Sequence, residues 1–462
     1  MEPASLDLFA EQGIVKDMTG SRQSVVLPLP YNDRSAIHFQ IKKIPYNYID
    51  LSSAVLYGSV KISRTDLTTG KEENHDLDNI SLCNFYPAAL FKGMEVSIGG
   101  QSITKMSTNH FHYKTYLQTL LNYGDDAKDT YWEAAGWFMD NPGEFEDFFG
   151  EGCSERRTWT KFSRTTNFAL PLQTGIFAID KLFPDYLDID IRFTRNEDAV
   201  PLFYKELKEE NLKKPVDENN AEADDTKKYN EMKAKVAKQG SYKFNINISN
   251  VSLKFRRIIL KPTTVAKHQT LLNENKLLRY PWTRTDIKLG GMINKGTREL
   301  KTNDLYSDRL PSSLVIGLIK SEGFLGSNTT NPFNFENFNL NNIYVEVNQK
   351  KVPADGYRPD FKEGNFREEY LAFFENIGLR GGASNGISMD YFKKGCTLYA
   401  FDFTPDKCLN YHSHEDDYGI LNLSIELAEP AEDNITVLCF ANYEEVLSID
   451  KDGQCFFDIA VT

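Results

Sequence analysis

Between Ile343 and Gly378 the chain alternates, turns, and then changes its period. Ile343-Tyr-Val345-Glu-Val347 places apolar side chains on one face, Asn348-Gln349 turns, and Lys350-Lys351-Val352-Pro353 returns. That pattern predicts a two-stranded ribbon with one buried face. After a polar linker, Phe366, Tyr370, Phe373, Phe374 and Ile377 recur at helical spacing before Gly378, a residue suited to a helix C-cap. The first half repeats this order: Met94-Glu-Val96-Ser-Ile98, a Gly99-Gly100 turn, Gln101-Ser-Ile103, a linker, then Tyr113, Tyr116, Leu117, Leu120 and Leu121 before Gly124. A second point of contact lies downstream, where Tyr186–Phe193 and Tyr418–Leu427 are both strict alternations. Identity between the halves is low, so the echo is one of architecture. It favours a tandem duplication of one β-domain over a single irregular β-protein.

Taken in order, residues 1–30 carry an apolar knot, Leu6, Leu8 and Phe9, and end at Leu27-Pro-Leu-Pro30, a composition suited to an arm that orders against something else. Strands are expected at Ala36–Ile44 and Ala54–Ile62. An aromatic stretch at 129–138, with Trp132, Trp137 and Phe138, continues into an acidic loop to Gly152 and is expected to be an elaborated surface excursion. Lys and Glu dominate 205–240, while alternation stops before this segment and resumes at Tyr242. It therefore reads as a solvated insertion within the first domain. A linker at Lys261-Pro-Thr-Thr264 and a short helix over 265–278 divide the halves, giving a first domain of 31–262 and a second of 263–462. Strands follow at 314–319, 343–352, 397–403, 420–427, 435–441 and 445–449. Repeated strands with long decorated loops predict an all-β antiparallel sandwich in each half, a double jelly roll.

Composition narrows the functional classes. Across 462 residues the net charge is −13, which opposes a surface built to grip nucleic acid. Aromatic content of 13% supplies the Phe and Tyr that pack pleated sheets. No apolar run approaches the about 18 to 20 residues of a membrane span, and the first nine residues lack a signal peptide's basic and apolar regions. The expectation is a chain made and kept in the cytosol or nucleus. The cysteines show no CxxC pairing and read as reduced, mostly buried thiols.

Candidate chemistry is sparse. His412-Ser-His414 would place two imidazoles on one side of a strand, as cupin-type metal sites do, but no third histidine follows at a strand's distance. A solvated loop is the better reading. His110 and His112 precede the aromatic helix and read as capping or packing groups. Nucleophile elbow, phosphate loop, HExxH and dinucleotide fingerprints are all missing, so neither a cofactor nor a catalytic residue is expected. Lys254-Phe-Arg-Arg257 and the Gly99-Gly100 and Gly381-Gly382 pairs are explained by strand solvation and by turns.

The second half resembles the hexon-like major capsid proteins of Polinton (Maverick) elements and adintoviruses. The likeness lies in Leu310-Pro-Ser-Ser-Leu-Val-Ile-Gly, Asn331-Pro-Phe-Asn-Phe335, Arg367-Glu-Glu-Tyr370, Asn385-Gly-Ile-Ser388 and Gly395-Cys-Thr-Leu-Tyr-Ala-Phe-Asp-Phe-Thr-Pro-Asp406. In the first half it is thinner, at Tyr113–Gly124 and Leu187–Phe193, and no counterpart is recognised for 205–240. The resemblance implies two tandem eight-stranded sandwiches per chain, homotrimers whose pseudo-hexagonal capsomers tile an icosahedral virion shell around double-stranded DNA, and neighbouring penton and minor capsid proteins. Synthesis in the host cytoplasm, with assembly there or in the nucleus, goes with that role. On this reading Leu6, Leu8 and Phe9 of the arm and Trp132, Trp137 and Phe138 of the excursion are expected at contacts between subunits. An intracellular jelly-roll binding module, a cupin-like enzyme and a minor capsid protein are the alternatives.

Overall fold

The computed structural model describes residues 17–30, 35–75, 79–104, 110–205, 242–380, 384–409 and 414–458. Leu6, Leu8, Phe9, His412 and all but the first residue of the 205–240 insertion lie outside them. The first half is built from β1 (Met18–Val26), β2 (Ala36–Ile41), β3 (Asn47–Asp66), β4 (Phe91–Ile98), β5 (Gln101–Ser102), β6 (Thr166–Pro171), β7 (Ile189–Arg195) and β8 (Tyr242–Leu260). The second is built from β9 (Leu278–Ile293), β10 (Glu299–Arg309), β11 (Ser313–Lys320), β12 (Leu340–Val347), β13 (Lys350–Tyr357), β14 (Leu398–Asp402), β15 (Tyr418–Leu427) and β16 (Ile435–Ile449).

The strands pair in the orders β1-β8-β3-β6 and β2-β7-β4-β5, then β9-β16-β11-β14 and β10-β15-β12-β13. Adding eight to every strand number converts the first pair of sheets into the second. All of these pairings are antiparallel. Each half is a jelly roll, and the chain is a double jelly roll. Short strands at Glu72–Asn74 and Phe183–Pro184 extend the sheet of β3, and Cys455–Asp458 extends that of β16.

Alternation explains why these segments are strands. In β15, Leu421, Leu423, Ile425 and Leu427 point inward while Asn422, Ser424 and Glu426 point away. The echoed ribbons, β4 with β5 and β12 with β13, turn through Gly99-Gly100 (φ 57° and 83°) and Asn348-Gln349 (φ 48° and 69°). Two successive left-handed residues match the twist of the flanking strands, which favours Gly or Asn there. Among the described residues the helices of ten residues or more are α1 (Phe111–Asn122), α2 (Glu151–Thr160), α3 (Pro262–Asn273) and α4 (Arg367–Asn376). Gly378 (φ 78°) closes α4 with a Schellman pair, Gly378 N–H to the Glu375 carbonyl and Leu379 N–H to that of Phe374. Gly124 is extended and starts the next helical turn instead, so the cap is not repeated.

Three expectations are corrected. Residues 18–26, assigned to an arm outside the first roll, form its edge strand β1, pairing with 253–260 of β8. The segments 435–441 and 445–449 are one strand, because Asn442, Tyr443 and Glu444 continue the ladder to β9. The 129–152 excursion contributes core residues, Trp132, Ala135, Trp137, Phe145 and Phe148, and is not confined to the surface.

Candidate assembly surface

Arg156 explains why the excursion folds inward. Its Nη2 donates to both carboxylate oxygens of Asp140 at 2.8 and 3.0 Å, its Nε donates to the Leu82 carbonyl at 2.9 Å, and its Nη1 to the Phe138 carbonyl. Both charges are 1% exposed. A buried guanidinium bonded through all three nitrogens pins the loop against the short strand Ile80–Leu82, which pairs with Leu202–Tyr204. Trp132 and Trp137 then pack on Phe85, with ring centroids 5.8 and 5.3 Å away. Both are covered by their own chain, so neither offers an exposed face to a neighbouring subunit, contrary to expectation. Phe138 is partly buried against Trp159.

The histidines are held structurally. His414 lies between two carboxylates, Nδ1 3.2 Å from Glu444 and Nε2 2.9 Å from Asp406, while its backbone N–H donates to Glu444. Burial opposes its charge, but the bonds to Glu444 and Asp406 outweigh it and raise the pKa. An imidazole donating from both nitrogens has no lone pair for a metal. Among the described residues no group of three or more His, Cys, Asp or Glu is placed to hold one. His112 is buried in α1 beside Tyr113, and burial, with His110 adding to it, pushes its pKa down to about 3. His110 occupies the N-cap position of α1 without a side-chain capping bond. Cys83, Cys396 and Cys439 are buried, free, and shifted up to about 12 by that burial, which leaves them protonated.

The residues that sequence reasoning missed lie at the seam between the rolls. α1 is buried at Phe111, His112, Tyr113, Thr115, Tyr116, Leu117, Thr119, Leu120 and Leu121, on every side of the helix. Tyr116 stacks on Phe333 of the second roll at 4.1 Å and 3°, and Tyr113 stacks on Phe324 at 5.7 Å. One hydrophobic cluster consequently runs from Phe39 and Leu56 of the first roll into Phe333, Phe335 and Leu398 of the second. Lys128, 3% exposed, donates its ammonium to the Leu120 carbonyl at 2.9 Å and to the Asn385 carbonyl across the seam. Burial lowers its pKa to about 8. Lower down, β9 lies on the 175–183 segment: Tyr280 packs on Phe183 at 5.5 Å, and Lys181 donates to the Arg279 carbonyl at 3.0 Å. Gly175 (φ 65°) has no side chain because Trp282 fills the space, 2.8 Å from where a Cβ would stand. A cavity of about 480 Å³ opens beside the seam, with Glu146 of the first half facing Lys320, Asn334 and Glu336 of the second. The signal for α1 was its composition: Lys114 is the only charge in the helix, whereas α4 carries Arg367, Glu368, Glu369 and Glu375.

No family model matches the chain. An uncharacterized protein, F54H12.2 of Caenorhabditis elegans, is 23% identical over 320 residues, 69% of this chain and 67% of that protein. Among solved structures, the cryo-EM structure of the Sputnik virophage aligns over 100% of this chain and 93% of its own, with a TM-score of 0.65 and 12% identity. The mavirus major capsid protein aligns over 100% and 94% with a TM-score of 0.54 and 11% identity. That of Faustovirus aligns over 95% and 92% with a TM-score of 0.53 and 9% identity. At these identities the likeness establishes the fold, a double jelly roll matched over nearly the whole chain.

Proposed function

We propose that this chain is a hexon-like major capsid protein, whose homotrimers form pseudo-hexameric capsomers of an icosahedral shell around double-stranded DNA. The observation that carries the reading is the eight-strand offset. One chain presents two rolls of the same topology joined through a continuous core, so three chains supply six similar wedges. The end-to-end likeness to capsid proteins of large viruses and virophages supports the same role. Motifs such as Asn331-Pro-Phe-Asn-Phe335 and Gly395–Asp406 favour a Polinton, Maverick or adintovirus origin.

The role is structural and not catalytic: the buried Arg156 and Lys128 and the part-buried His414 are engaged in holding segments together. No helix among the described residues is long and apolar enough to cross a membrane. With a net charge of −13 the shell encloses DNA without gripping it. Penton and minor capsid proteins would complete the shell, and the virion, assembled in the host cytoplasm or nucleus, is where the protein resides. Light scattering on the expressed chain tests the assembly. A mass three times 52.8 kDa that persists at low micromolar concentration supports the reading, and a monodisperse monomer removes it.

A further inference from the structure

Each side of the seam has a counterpart at the same place in the other roll, and in both cases the counterpart is the less covered of the two. On the first-roll side stand α1 and the 175–183 segment; on the second-roll side stands the edge strand β9. The eight-strand offset pairs β1 with β9. It also pairs α4 with α1, since each helix lies between the fifth and sixth strands of its roll. In β9, Tyr280, Arg284, Thr285 and Ile287 are buried. In β1 the first six residues are all exposed, Val25 is 56% exposed, and Leu27 just beyond it is 69% exposed. α1 is buried all round, whereas α4 buries just Glu369 and Phe373 and leaves Leu371 61% exposed.

β1 and α4 belong to different rolls and both keep exposed apolar side chains within a single chain, so neither covers the other there. β1 ends the order β1-β8-β3-β6, and α4 packs beside β14, which ends β9-β16-β11-β14. Among the described residues no strand pairs with the outer side of β1, and Arg22 is its single charge. A nine-residue edge strand with so little charge is a surface that proteins ordinarily cover. Depletion of charge is likewise the mark of an interface core.

We propose that the seam inside the chain is repeated between chains: β1 and residues 27–29 of one subunit dock against α4 of a second copy, as β9 docks against the first roll. The contact is heterologous, with different surfaces meeting, and repeated head to tail it closes into a ring. It rests on the capsomer reading and adds which surfaces meet.

Two full-length variants test it by light scattering at low micromolar concentration: Val25→Asp with Leu27→Asp, and Leu371→Asp. All three side chains are exposed in the single chain, so each variant should keep the parent's far-ultraviolet circular dichroism. Each should fall to a monomer. Mixed in equal amounts, the two should give a one-to-one dimer, because together they hold one intact pair of faces. Trimers persisting in both variants, or no dimer on mixing, would overturn the seam assignment while leaving the capsomer reading in place. A monomeric parent would sink the capsomer reading itself. Should a variant fail to fold, hydrogen exchange on the parent decides: β1 amides protected in the trimer and released on dilution support the contact, and equal exchange in both states rejects it.

Discussion

Glu146→Gln should stabilise the protein at neutral and alkaline pH and do little in acid. The Glu146 carboxylate accepts from the Asn331 backbone N–H at 3.3 Å and from Asn334 Nδ2 at 3.2 Å, so it ties the first-half excursion to the second roll. Burial raises its pKa from 4.5 to about 7, against the lowering effect of the Asn334 and Asn331 bonds and of Lys320. The folded state therefore holds a proton that the unfolded chain gives up at lower pH. Below the unfolded pKa both states are protonated and the group is neutral in its effect. As pH rises through the window from 4.5 to about 7, stability is lost, and above it the full cost of a buried carboxylate is present. Each tenfold difference in proton affinity between the folded and unfolded states is worth about 1.4 kcal/mol, which makes that cost about 3 kcal/mol. Glutamine keeps an acceptor for both donors and carries no charge. Urea unfolding of parent and variant at about pH 8 should show the variant more stable by about 2 to 3 kcal/mol, and at about pH 5 by under about 1 kcal/mol. Equal stability at both pH values, or a variant less stable at about pH 8, would refute the reasoning.

Three other outcomes follow from the same structure. Phe333→Ala removes a fully buried ring from the Tyr116 stack and should cost about 3 to 5 kcal/mol, with fluorescence and circular dichroism transitions of the two halves ceasing to coincide. Asp140→Ala strands the Arg156 guanidinium at 1% exposure and should cost about 3 to 5 kcal/mol in thermal or urea unfolding; a loss under about 1 kcal/mol would mean that the pair does not hold the excursion. Purified protein should bind duplex DNA weakly, and submicromolar binding that falls steeply with salt in a filter or anisotropy assay would contradict the enclosing role.

The strands were legible because their signal is local: alternation in 187–193 and 420–427 marks one wet and one dry face, and strands stand there at Ile189–Arg195 and Tyr418–Leu427. Turn chemistry at Gly99-Gly100 and Asn348-Gln349 was legible for the same reason. β1 was not, because Met18–Val26 alternates nothing: it has no buried face in the single chain, and only its ladder to β8 makes it a strand. Trp132 and Trp137 were misassigned because an aromatic loop looks alike whether a partner or its own chain covers it. What settles the matter is Arg156 and Asp140, residues apart in sequence, meeting in the core. The seam lay hidden in a contact between Tyr116 and Phe333, which alternation does not report, although the composition of α1, with Lys114 its single charge, hinted that both its sides were covered.

If one chain is two equivalent wedges of a closed ring, negative-stain class averages of the purified protein will show it. Particles should have three-fold symmetry and a six-lobed outline, two lobes per chain. Two-lobed single subunits, or open chains of variable length, would be incompatible with the ring.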